Sequence, residues 1–121
     1  MTGIKIMGQA GQGIKFISNI LAKLLVKNNY EIAVMNNYSP FIKYGNSDAS
    51  IVFSKDKIEN PLTEEFNFEY DLMNENLKKE LEGNKKYDEQ VNISLLRKII
   101  SDLKLDVSDM EIGELIKKKS H

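Results

Sequence analysis

No cysteine occurs in this chain, so it can form no disulfide, offer no thiolate nucleophile and hold no conventional iron–sulfur cluster. Histidine is almost as scarce. The single one is His121, the last residue, which excludes a histidine-based triad or a histidine zinc site. Charge of either sign is not in excess: 17 basic and 18 acidic side chains leave a formal net charge of -1. No overall basic field therefore marks nucleic acid as the partner, and no acidic excess marks a solvating disordered chain. Long hydrophobic runs are missing too. The longest apolar pattern, Ile14 to Val26, is interrupted by Lys15, Asn19 and Lys23, and no basic segment with a following apolar run opens the chain. The expectation is a soluble, cytoplasmic protein that neither enters a membrane nor binds nucleic acid. Its 121 residues, 41% of them hydrophobic, suffice for one compact domain and not for two with separate cores.

What is present centres on Gly8-Gln9-Ala10-Gly11-Gln12-Gly13, between the apolar run Ile4-Lys5-Ile6-Met7 and a helical pattern that begins at Ile14. Three glycines in six residues allow a sharp strand-to-helix turn with uncovered backbone N–H groups. With the positive end of the following helix, such a turn is an anion cradle in outline. The match to better-known phosphate motifs is partial. Ala10 stands where the dinucleotide fingerprint needs a glycine, and the second strand ends Met35-Asn36-Asn37 without the expected acid. Ile14 stands where a P-loop has lysine, and Phe16 where it has a hydroxyl. A turn that serves only to pack the first helix on the sheet accounts for the spacing equally well.

Ile14, Ile17, Leu21, Leu24 and Leu25 recur at helical spacing, while Lys15, Asn19, Lys23 and Lys27 fall on another face. Phe16 and Ile20 widen the apolar stripe. That excess serves either a subunit contact, a homodimer included, or burial under another helix of the same chain. Asn28-Asn29 ends the helix, and Glu31 to Met35 is a mostly apolar run of strand length. Strand, glycine turn, helix and strand together predict a βαβ unit with two neighbouring parallel strands and the turn at the carboxyl edge of the sheet. A ring-rich loop from Asn36 to Ser47 follows, then a third strand with Ala49, Ile51 and Phe53 on alternate positions.

Several blocks then resemble one family in order and spacing. Gly8 to Ile14 resembles the G-x-G-G-Q-G-[IV] turn of the gamma subunit, or gamma domain, of 2-oxoacid:ferredoxin oxidoreductases. Ile20-Leu21-Ala22 resembles its I-L-A. Tyr38 to Ala49 follows its Y-G-P-E-x-R-G-G-x-S-x-A without a gap, with Lys43 in place of the arginine and Tyr44 in place of the first glycine of the pair. Lysine keeps the positive charge and loses the planar fork.

The resemblance spans roughly residues 3–61 of a single 1–121 domain, with 62–121 a divergent, mostly helical part. It implies an α/β fold, a Rossmann-like open sheet with a parallel βαβ start. It also implies an accessory gamma-type subunit of a 2-oxoacid:acceptor oxidoreductase. Such a subunit takes part in oxidative decarboxylation of a 2-oxoacid to an acyl-coenzyme A, alongside alpha, beta and ferredoxin-like delta subunits. Thiamine diphosphate and iron–sulfur clusters belong to those partners. Coenzyme A is the cofactor this chain would contact, through Gly8, Gly11, Gln12, Gly13, Tyr38, Lys43 and Gly45; no catalytic residue and no metal ligand is assigned. Two other roles fit the same residues, a stand-alone module binding a small anion or nucleotide, and an inactive remnant of the family.

Downstream, Asp71 to Leu77 faintly resembles the family's next strand and helix. Asn92 or Ser94 is placed to cap a helix holding Leu95, Leu96, Ile99, Ile100 and Leu103. Ser108-Asp109-Met110-Glu111 is a capping box for a last helix that ends in three lysines.

Overall fold

A computed structural model describes residues 1–9, 11–37, 46–59, 66–85 and 89–120. Four strands, β1 (Thr2–Gln9), β2 (Glu31–Asn37), β3 (Asn46–Ser54) and β4 (Phe68–Asp71), form one sheet in the order β2-β3-β1-β4. The helices are α1 (Ile14–Lys27), α2 (Glu75–Gly83), α3 (Val91–Asp102) and α4 (Asp109–Ser120). The expected α/β architecture, with parallel pairing and a helical C-terminal part, is what the chain adopts.

One expectation about strand neighbours is corrected. β1 and β2 run the same way, yet they are not adjacent. β3 lies between them, antiparallel to both, and β1 instead pairs in parallel with β4. The register keeps side chains of one kind on one face: Ile4 opposes Ile51, Ile6 opposes Ala49, Val34 opposes Ile51 and Ile32 opposes Phe53. With a period of two, all of these point to the helices.

α1 lies across that face, against β1, β2 and β3. Its stripe is buried as the periodicity demands, Ile17, Leu21, Leu24 and Leu25 having no exposed surface. Ile20 is equally buried, inside the chain's own core, so it is burial and not a subunit contact that this part of the excess stripe serves. α3 packs on α1 and α2, and α4 touches α1. Asn28 ends α1 by donating from its backbone N–H to Leu24 and Leu25, and Asn29 takes a left-handed φ of 67°.

The C-terminal part both widens the sheet and covers it. Leu72 N–H donates to the Met7 carbonyl at 2.8 Å and extends the β1–β4 pairing past the end of β4. The capping box forms as read, with Ser108 Oγ accepting from Glu111 N–H at 3.2 Å. Asn92 and Ser94 do not cap α3. Gln90 holds that position, and both sit inside the first turns, buried.

Candidate anion site at the carboxyl edge

The glycine turn leaves β1 at Gln9 and enters α1 at Gly13. Gln12 closes it from both sides: its backbone N–H donates to the Gln9 carbonyl at 3.1 Å, and its side-chain Oε1 accepts from Gln9 N–H at 2.6 Å. The Gln12 side-chain oxygen is therefore engaged inside the turn, which leaves its Nε2 as the donor of that amide. Gly8 lies below, where an added Cβ would stand 2.6 Å from that same Oε1.

Gly11 and Gly13 take φ values of +89° and +77°, a region that costs residues with a Cβ and suits glycine. Neither Gly11 N–H nor Gly13 N–H meets an acceptor among the described residues. Gly13 is the N-cap of α1 and supplies no side-chain cap, so the amides of Ile14, Lys15 and Phe16 also lack intrahelical acceptors. No acid occupies the first turn. The positive end of the helix dipole is thus left bare, with Lys15 beside it.

Opposite this turn stands the start of α3. A cavity of about 180 Å³ is lined by Gly11 and Gln12 from the turn, Leu72 from the end of β4, and Gln90, Val91 and Asn92 from α3. Asn92 reaches across to Gly13. A Cβ on Gly13 would lie 2.4 Å from the Asn92 Nδ2, so the bare α-carbon is what makes room for this side chain. Asn92 is 7% exposed, and its Oδ1 is enclosed with no hydrogen-bond partner.

The site residues read from sequence divide cleanly. Gly8, Gly11, Gln12 and Gly13 come together at the edge, while Tyr38, Lys43 and Gly45 lie outside the described residues. Leu72, Gln90, Val91 and Asn92 were missed as lining residues. A signal for Asn92 existed: it shares a helix face with Leu95, Leu96 and Ile99, where a polar amide needs a reason.

Elsewhere, ionisable groups serve packing between elements. Tyr70 Oη donates to Asp102 Oδ2 at 2.7 Å, and Lys98 Nζ lies 3.0 Å from Glu80 and 3.8 Å from Asp102. Burial, then the bond to Asp102 and its charge, hold the Tyr70 phenol well above its usual range. The bond to Glu80 raises Lys98, with burial opposing it. No group of three or more metal-ligating side chains occurs among the described residues, and no described helix is long and apolar enough to cross a membrane.

Residues 3–88 match the family model described as pyruvate ferredoxin/flavodoxin oxidoreductase. A search of the curated proteins found no match. Seven chains of solved structure match. One is similar in fold, the gamma subunit of the keto/oxoacid ferredoxin oxidoreductase of Geobacter sulfurreducens PCA, with a TM-score of 0.60, 12% identity, and coverage of 96% of this chain and 85% of that one. Another is the pyruvate oxidoreductase subunit PORC of Thermotoga maritima, 26% identical over 50% of this chain, with a TM-score of 0.39. The chain spans 33% of that subunit's length.

Proposed function

Since the chain belongs to the pyruvate ferredoxin/flavodoxin oxidoreductase family, whose model covers residues 3–88, we propose that it is a gamma-type accessory subunit of a 2-oxoacid:acceptor oxidoreductase. The observation that carries this reading is the family match across the glycine turn and its flanking strand and helix. The fold likeness to the Geobacter gamma subunit, over 96% of this chain, supports it.

In the proposed assembly the reaction is oxidative decarboxylation. The bond between the 2-oxoacid carbonyl carbon and its carboxylate breaks, carbon dioxide leaves, two electrons pass to the acceptor and the acyl group passes to coenzyme A. Thiamine diphosphate and iron–sulfur clusters, on partner subunits, supply the covalent and redox steps when bound. This chain has no cysteine for a cluster. Its own task is to bind and orient. The bare amides of Gly11, Gly13 and the first turn of α1 suit a phosphate oxygen of coenzyme A, and the Gln9–Gln12 closure keeps the turn in shape. Alpha, beta and delta subunits are the proposed partners, and the cytoplasm the proposed site of action.

Affinity capture of this chain from a native extract tests the reading. Thiamine-diphosphate-binding chains should come with it in fixed ratio and carry 2-oxoacid-dependent acceptor reduction. A chain recovered stably alone would overturn it.

A further inference from the structure

We propose that the groove between the C-terminal end of α1, strand β2 and α4 receives an acidic segment of another protein, with a large apolar side chain entering the groove and carboxylates meeting Lys23 and Lys27. The proposal goes beyond the subunit role above, naming a face of the chain and the chemistry of what covers it.

Ala22, Lys23, Val26 and Lys27 of α1, Ile32 of β2 and Leu115 of α4 line a space of about 360 Å³. An enclosed space of about 150 Å³ admits a benzene ring, so this one has room for a leucine or phenylalanine side chain. β2 is the outer strand of the sheet, and the groove lies along that border. Val26 is 55% exposed there, on a helix whose isoleucines and leucines are all buried. The apolar stripe of α1 thus continues past the core into this opening.

Charge decides what suits it. The first thirty residues hold four lysines and no acid, in a chain whose net charge is -1. Lys23 and Lys27, one helical turn apart, stand at the groove, and neither ammonium group has an ion pair or hydrogen bond with a described residue. Among the described residues that line the groove none is acidic. The two grooves beside α3 are different, because their cations are already matched: Lys98 lies by Glu80 and Asp102, and Arg97 is paired with Glu89. Two unmatched cations around an apolar bed are the complement of carboxylates beside an apolar side chain. A second copy seated here about a two-fold axis would set the patch against itself, lysine facing lysine. A lipid surface takes up a protruding apolar face, and this one is concave.

The test uses the full chain, ¹⁵N-labelled, and three synthetic peptides: a leucine flanked on both sides by glutamates, the same peptide with glycine for leucine, and the same with lysines for the glutamates. The amide signals of Ala22, Val26, Ile32 and Leu115 should move together along one saturation curve with the first peptide and stay put with the other two. A chain carrying both Lys23→Glu and Lys27→Glu should reverse the preference, weakening the glutamate peptide by about tenfold or more and admitting the lysine one. Both lysines are exposed, so this chain should fold as the parent does. Binding that survives loss of the leucine or ignores the charge reversal, or no saturable shift at these residues, would overturn the proposal. Self-association abolished by Val26→Asp would seat a second copy in the groove, and Val26→Asp-sensitive binding to vesicles of phosphatidylglycerol and phosphatidylcholine would seat a membrane; either result overturns it too. The outcome is separable from complex membership. A chain that co-purifies with partners while ignoring the peptides defeats this groove alone, and a chain recovered alone that binds the first peptide keeps the groove and loses the subunit role.

Discussion

Replacing Gly13 with alanine would place a methyl group 2.4 Å from the Asn92 Nδ2 and oblige a residue with a Cβ to hold φ at +77°. The backbone part costs about 1–2 kcal/mol, of which the stiffer unfolded chain returns about 0.4–1 kcal/mol. The steric part adds about 1 kcal/mol, since the atom in the way is the tip of the Asn92 side chain, whose Cγ stands 3.5 Å off, and this half of the side chain must leave its present rotamer to make room. Gly11→Ala is the control. Its φ is +89° but nothing lies within 4 Å of the added Cβ, so it should show only the backbone cost, about 1 kcal/mol. Asn92→Ala removes an amide that has no partner and should be near neutral. In that background Gly13→Ala should fall back to the cost of Gly11→Ala, a coupling of about 1 kcal/mol in a double-mutant cycle. Urea unfolding followed by far-UV circular dichroism measures all four chains. A Gly13→Ala no worse than Gly11→Ala, or a coupling indistinguishable from zero, would refute the claim that bare Gly13 exists to admit Asn92.

Two further outcomes follow from the polar contacts. The folded chain holds the Tyr70 proton more tightly than the unfolded chain, whose tyrosines titrate near pH 10, so this contribution is full below about pH 10 and is lost as pH rises above it. Tyr70→Phe should therefore cost about 1 kcal/mol at pH 7, and the gap should narrow by pH 11; urea midpoints that stay equally far apart would contradict this. Asn74→Ala removes the side-chain cap of α2 and should lower stability by about 1 kcal/mol, with amide exchange accelerated in the first turn of α2 and not in α1; uniform acceleration would show that α2 does not open separately.

Local chemistry made much of this fold readable. α1 began and ended where the Ile14-to-Leu25 periodicity and Asn28-Asn29 placed it, β3 carried its Ala49-Ile51-Phe53 alternation to the helical face, and Ser108 capped Glu111 as the box requires. Strand order was not readable, because pairing is decided by which surfaces fit across the sheet. Nothing in Ile4–Met7 or Glu31–Met35 says that Asn46–Ser54 will slide between them. β4 has four residues, too few for a pattern. Asn92 invited assignment as a cap, since asparagine favours caps, and its true setting depends on a missing Cβ in a glycine far away in sequence. The turn was found from its glycines; its second wall belongs to a helix whose membership in the site only the folded chain displays.

The insertion of β3 between β1 and β2 also governs the order in which the sheet can be assembled. β1 is made first, yet both of its neighbours, Asn46–Ser54 and Phe68–Asp71, arrive much later, whereas β2 and β3 are separated by a single short connection. Closing a long loop costs more chain entropy than closing a short one, so the β2–β3 ribbon is the inexpensive pairing and docking it on β1 the expensive one. On a ribosome, the first strand and the glycine turn must wait for the middle of the sheet to be delivered to them, and the cavity wall built from Gln90 to Asn92 comes later still.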